Sequence, residues 1–198
     1  MLNADQLRAA LGETVIGREI VVLETTASTN DSILEMTTPK TEEGFIVFAE
    51  HQTAGRGQRH NQWESAAHKG LWFSILLRPQ IEVGQSTRLT TWLAQTVAGT
   101  VQEELSLPAA IKTPNDVIVD SRKVAGVLVE MRAQPAAPHV AIAGVGVNVN
   151  QTADDFSIEL RSRAVSLAMA SGRKIDRPKF AIALLRNLDR TYRDLLGS

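Results

Sequence analysis

The sequence predicts an α+β domain, a mixed, hairpin-rich sheet with helices packed on one side. Three observations predict it. Apolar runs of strand length, such as Phe45-Ile46-Val47-Phe48-Ala49 and Leu71-Trp72-Phe73-Ser74-Ile75-Leu76-Leu77, recur between turn residues. Two apolar stretches meet across Asp120-Ser121-Arg122, which makes a hairpin. Two long stripes at helical spacing, in the middle and at the end of the chain, supply the helical layer.

Val21-Val22-Leu23 after Gly17 gives a first short strand, and the caps Ser28-Thr29-Asn30-Asp31 start a helix that carries Ile33, Leu34 and Met36. A strand over 45–50 follows, then a loop with two glycines. Leu71–Leu77, closed by Pro79, is a buried strand. From Thr87 to Leu105 the set Leu89, Trp92, Leu93, Val97, Val101 and Leu105 stripes one face of a helix. Ile111-Lys112 leads through a turn at Thr113-Pro114-Asn115-Asp116 into Val117-Ile118-Val119, whose hairpin partner is Lys123–Met131. Pro135 and Pro138 mark a loop before a strand over Val140–Asn150. Asp176-Arg177-Pro178 combines a capping acid with proline in the first turn, so the final helix starts there. Phe180, Leu184, Leu188, Tyr192 and Leu195 form its stripe.

The 198 residues fit a single domain over 1–198. With 21 basic and 22 acidic residues, the net charge of -1 argues against a general nucleic-acid binder while leaving room for a local positive pocket. Zero cysteines exclude a disulfide framework and any thiolate nucleophile or metal site. No apolar run approaches the length of a membrane span, and the charged first twenty residues do not read as a signal peptide, so a cytoplasmic protein without membrane contact is expected.

Four clusters carry chemistry, each at a strand end or turn. Ser28-Thr29-Asn30 places hydroxyl and amide groups at a helix start, where simple capping is the plain alternative. Gln52 precedes Gly55-Arg56-Gly57, with Gln58 and Arg59 beyond. Glycines admit close backbone approach or positive φ, and guanidinium groups suit carboxylate or phosphate, although a lone Gly-Arg-Gly also fits a solvated surface loop. Lys112-Thr113-Pro114-Asn115-Asp116 is followed by Lys123-Val124-Ala125-Gly126, where Lys123 could equally be a snorkelling edge lysine. Gly144-Val145-Gly146-Val147-Asn148 lacks the third glycine of a dinucleotide fingerprint, and strand glycines usually mark close packing.

In order and spacing these clusters, with Trp63, Leu128, Glu130 and Asn150, resemble the catalytic domain of the biotin protein ligases, within the biotin/lipoate ligase superfamily of class II synthetase-like fold. The resemblance implies an enzyme that activates biotin with ATP to biotinyl-5′-AMP and transfers biotin to a lysine of a carboxylase carrier domain. It implies Lys123, Arg56 and Asp116 as catalytic groups, Asp116 orienting or deprotonating the incoming amine, although an Asn-Asp turn role fits Asp116 as well. Ser28, Thr29, Asn30, Gln52, Gly55, Arg56, Gly57, Gln58, Trp63, Lys123 and Gly126 would bind substrate. Arg59, Lys112, Asn115 and Asn148 would face the nucleotide, Mg²⁺ would accompany ATP without dedicated protein ligands, and a homodimer stays open. Two rivals remain: a lipoate ligase or lipoyl transferase on the same fold, and a biotin- or adenylate-binding protein with little turnover.

The sequence departs from the family where Gln58, His60 and Asn61 stand in place of arginine or glycine, and where Thr113 replaces tryptophan. Fewer cations in that loop should hold an acyl-adenylate less tightly. No helix-turn-helix domain and no small C-terminal β domain are expected in this chain.

Overall fold

The computed structural model describes residues 1–58, 61–134 and 138–196. In chain order the elements are α1 (Ala4–Leu11), β1 (Glu19–Thr26), α2 (Thr29–Met36), β2 (Phe45–Gln52), β3 (Gly55–Arg56), β4 (Gln62–Trp63), β5 (Leu71–Leu77), α3 (Ser86–Leu105), β6 (Ala110–Lys112), β7 (Asp116–Val119), β8 (Arg122–Arg132), β9 (Val140–Val147), α4 (Leu167–Ser171) and α5 (Arg177–Leu196). Seven strands form one sheet in the order β1-β2-β5-β9-β8-β7-β6, and β3 pairs with β4 in a small ribbon. Only β1 and β2 run parallel, joined through α2; every other neighbouring pair is antiparallel.

Strand alternation explains the layers. Ile46 and Phe48 of β2, with Phe73, Ile75 and Leu77 of β5, face the large core built with α1, α3 and α5. Phe45 and Val47, with Leu76 of β5 and Ile142 of β9, face the other way and enclose Ile33 of α2 in a second, smaller core. The main helical layer therefore lies on one side, as expected, while the short α2 covers part of the opposite face. All seven residues of β5 are buried because it runs between the two layers.

The two long stripes pack as the spacing predicts. Leu89, Trp92, Leu93, Val97 and Val101 of α3 are buried, as are Phe180, Leu184, Leu188 and Tyr192 of α5. Asp176 caps α5 by accepting the Lys179 N–H at 3.0 Å. The β7–β8 hairpin closes through Asp120 and Ser121, both left-handed (φ 48° and 63°), which matches the right-handed twist of the strands it joins.

Three features differ from expectation. The helix α1 carries only Leu7 and Leu11 as buried positions, too few for a stripe in the sequence. The last strand ends at Val147 rather than Asn150, because the Asn148 and Asn150 side chains turn to the backbone of Val165 and Ile175. The loop around Gly55 is a two-strand ribbon, too short to show a period. The loop expected at Pro135 lies outside the described residues.

Candidate active site

The parallel pairing of β1 and β2 sets Thr26 opposite Gln52, so the start of α2 and the end of β2 share one edge of the sheet. Ser28 is the N-cap position of α2, yet its hydroxyl makes no capping bond. Gln52 accepts the Thr29 backbone N–H at 2.8 Å and the Thr29 hydroxyl at 3.2 Å on Oε1, and its Nε2 donates to Ser65 Oγ. The Ser74 hydroxyl, fully buried in β5, lies 2.8 Å from Thr29 Oγ1 and 2.6 Å from Asn30 Oδ1. Asn30 fits because Gly144, the register partner of Ser74, has no Cβ; one built there would fall 2.4 Å from Asn30 Oδ1. These contacts fix the orientation of uncharged donors and acceptors along one wall.

The opposite wall comes from β8 and β9. Gly126 and Gly146 are direct partners in the ladder, and the indole of Trp63 lies across both. A Cβ would fall 2.8 Å from the ring at Gly126 and 2.6 Å from it at Gly146. Trp63 Nε1 is buried there without a hydrogen-bond partner. The Lys123 ammonium sits 5.0 Å from the same ring centroid and 2.6 Å from Asp116 Oδ1. Arg56 is also engaged, to Asp31 at 2.8 Å and Glu130 at 3.0 Å. Both cations are thus already matched by carboxylates, and they act as positioned donors more than as a net positive field.

Two cavities meet at Trp63 and Lys123. The smaller, about 40 Å³, is lined by Ser28, Thr29, Asn30, Gln52, Arg56, Gly57, Trp63, Asn115, Lys123, Gly126 and the Gly144–Gly146 strand. That volume holds no more than a few waters, since one needs about 10–15 Å³ by this measure. A ligand with rings requires Trp63 to leave. The larger, about 610 Å³, is lined by Trp63, Lys112, Asp116, Lys123 and Asn148, together with Asn61, Glu64 and the segment 156–164. Another cavity of about 1030 Å³ between α1 and α5 contains none of the residues selected from sequence.

The site residues therefore divide as follows. Gly55 serves close approach rather than positive φ, since a Cβ would meet the Trp63 carbonyl oxygen at 2.7 Å and its φ is not left-handed. The Gly57 N–H is taken by Asn61 O at 2.7 Å, so that amide is not available to a substrate in this state. Gln58 lines neither cavity, and its carbonyl accepts the Asn61 backbone and side-chain N–H groups. Arg59 lies outside the described residues. Asn115 donates to Val127 O, and Asn148 donates to Lys123 O and Val165 O while accepting from Gln151; each braces the backbone beside a cavity it also lines. Sequence reasoning missed Ser74, Asp31, Ser65 and the 156–164 segment. Ser74 carried one signal, a polar residue inside an otherwise apolar strand.

Among the described residues no group of three histidines or carboxylates converges to hold a metal ion. No helix among them is long and apolar enough to cross a membrane.

Residues 22–148 match the Biotin/lipoate A/B protein ligase family. A bifunctional ligase/repressor BirA of Bacillus spizizenii is 35% identical over 195 residues, 98% of this chain and 60% of that protein. A biotin–[acetyl-CoA-carboxylase] ligase of Mycobacterium tuberculosis is 32% identical over 207 residues, 96% of this chain and 73% of that protein. The chain spans about 60% of the length of the Bacillus proteins that it matches. In structure it resembles a biotin protein ligase from Aquifex aeolicus in complex with biotin and ATP, with a TM-score of 0.77, 28% identity, and coverage of 91% of this chain and 73% of the other. With the matched segment running from β1 to Asn148, through all four clusters selected from sequence, the chain belongs to the biotin/lipoate A/B protein ligase family.

Proposed function

We propose that this chain activates biotin with ATP and transfers the biotinyl group to a lysine of a carboxylase carrier domain in the cytoplasm. The observation that carries this is the junction of two unlike cavities at Lys123: a narrow one with uncharged donors and a glycine floor, and a wide polar one. Ser28, Thr29, Asn30 and Gln52 suit a neutral cyclic urea, and the Gly126–Gly146 floor suits a flat ring once Trp63 withdraws. The wide cavity suits a nucleotide, with Lys112 and Asn148 on its wall.

At the junction the biotin carboxylate oxygen attacks the α-phosphorus, the new P–O bond replacing the bond to pyrophosphate, which leaves. Lys123, and Arg56 through its free guanidinium donors, stabilise the negative charge that gathers there, so catalysis is mainly positioning and charge stabilisation. The carrier amine then attacks the acyl carbon and AMP departs. Asp116, held at the junction by Lys123, takes the proton that the amine releases. Magnesium entering with ATP would supply charge neutralisation for the triphosphate.

Calorimetry with biotin, lipoate and ATP tests the assignment. Biotin should bind, and biotin plus ATP should support pyrophosphate exchange. Binding of lipoate in place of biotin would make this a lipoate enzyme, and binding without exchange would make it a binding protein.

A further inference from the structure

We propose that Glu130 is a positioning residue that fixes the Arg56 guanidinium at the mouth of the smaller cavity, with Asn30 and Ser74 as its support. A single oxygen, Glu130 Oε2, accepts from Asn30 Nδ2 at 2.6 Å and from Arg56 NH2 at 3.0 Å. Asn30 is itself oriented, because its Oδ1 accepts the Ser74 hydroxyl at 2.6 Å. The orientation is set at Glu130, whose carboxylate only accepts: a flipped amide would set the Asn30 oxygen against it. The relay joins β5, α2, β8 and β3, four elements remote in sequence, and starts at a hydroxyl that is 0% exposed.

The geometry at Arg56 gives the relay a purpose. Asp31 and Glu130 both take the NH2 nitrogen, which leaves Nε and NH1 with their donors for a ligand. A guanidinium clamped through one nitrogen presents the others in a fixed direction, and less freedom is lost when an anion arrives. The alternative is competition. With Arg56 against two carboxylates, removing one negative charge would free the cation and strengthen anion binding.

This inference rests on the biotin assignment only for its choice of ligand, and two measurements separate them. In the first, biotin affinity is measured for wild type, Glu130→Gln, Arg56→Ala and the double variant. Glu130→Gln should bind about ten- to a hundredfold more weakly, the scale of one charge-assisted hydrogen bond, and should add less than about threefold once Arg56 is gone. Tighter or unchanged binding in Glu130→Gln would overturn the proposal in favour of competition; an additive loss in the double variant would mean that Glu130 acts without Arg56. The Glu130 side chain is 39% exposed, so the variant should fold, which a thermal melt verifies. In the second, the Arg56 side-chain N–H resonance, assigned with Arg56→Lys, is followed without any ligand. Its restricted motion in wild type should be lost in Glu130→Gln; unchanged order there would overturn the proposal whatever the protein binds. A wild type that ignores biotin, with Arg56 loosened in Glu130→Gln, would sink the functional assignment alone.

Discussion

The Lys123 ammonium and the Asp116 carboxylate meet at 2.6 Å across the β7–β8 hairpin, at the point where the two cavities join. An ion pair at that point can serve two half-reactions, the lysine in the first and the aspartate in the second.

Lys123→Ala should slow adenylation by about two to three orders of magnitude, the effect of losing one preorganised stabiliser. Asp116→Asn should spare adenylation and slow transfer to the carrier by about 10²-fold or more, as for a lost general base. Pyrophosphate exchange and single-turnover transfer separate the steps. Equal losses in both steps for Asp116→Asn would show that the aspartate works only by holding Lys123.

Trp63 must leave the Gly126–Gly146 floor before a ring can enter, whereas Trp72 and Trp92 are locked in the core at 0% and 6% exposure. Biotin should therefore change the tryptophan emission of wild type, and Trp63→Phe should abolish most of that change. An undiminished change in the variant would place the moving indole elsewhere.

Restoring a cation to the loop should prolong the life of the adenylate complex. In Gln58→Arg the release of biotinyl-5′-AMP should slow by one to two decades, the equivalent of about 1.5–3 kcal/mol for a charge-assisted bond. Rapid dilution of preformed complex, followed by intrinsic fluorescence, reads the rate. The same rate in both proteins would mean that position 58 never meets the adenylate, in keeping with its place outside both cavities.

Glu50 is fully buried and binds the Leu2 N–H, Arg177 and His68. Burial alone would raise its pKa, but the Leu2 hydrogen bond and the Arg177 guanidinium outweigh that and hold the carboxyl below its ordinary 4.5. A folded pKa below the unfolded one means that the stability is present above pH 4.5 and is lost as pH falls through the lower folded value. Thermal melts should decline below that point in wild type. Glu50→Gln should cost about 3–5 kcal/mol near neutrality, because it strands Arg177, and should flatten that acid decline. A steep decline that persists in the variant would assign the acid sensitivity to another carboxylate.

Much of this was legible in the chain because periodicity and short motifs report local chemistry. The α3 stripe from Leu89 to Val101 and the hairpin at Asp120-Ser121 follow from residues close in sequence. Ser28, Gln52, Arg56 and Lys123 could be selected because unusual residue types stand at strand ends. What stayed hidden depends on register between distant strands. Only the pairing of β5 with β9 puts Ser74 beside Gly144 and leaves Asn30 its space, and only the β8–β9 ladder stacks Gly126 on Gly146 to receive Trp63. The segment 156–164 has no period at all and reaches the wide cavity through two backbone bonds at Lys123, from its own N–H to Arg163 and from Val165 back to its carbonyl.

The one parallel pair in the sheet has a consequence for engineering. Because β1 and β2 point the same way, Ser28, Thr29, Asn30 and Gln52 at the Thr26–Gln52 edge are encoded in a single unbroken stretch of about 27 residues, apart from the stretch 112–148 that brings Lys123, Asp116 and the glycine floor. The uncharged groups of the first stretch and the Lys123–Asp116 pair of the second are separate cassettes. Chimaeras with relatives, joined between β2 and α3, should exchange acid preference while keeping the same phosphoryl chemistry.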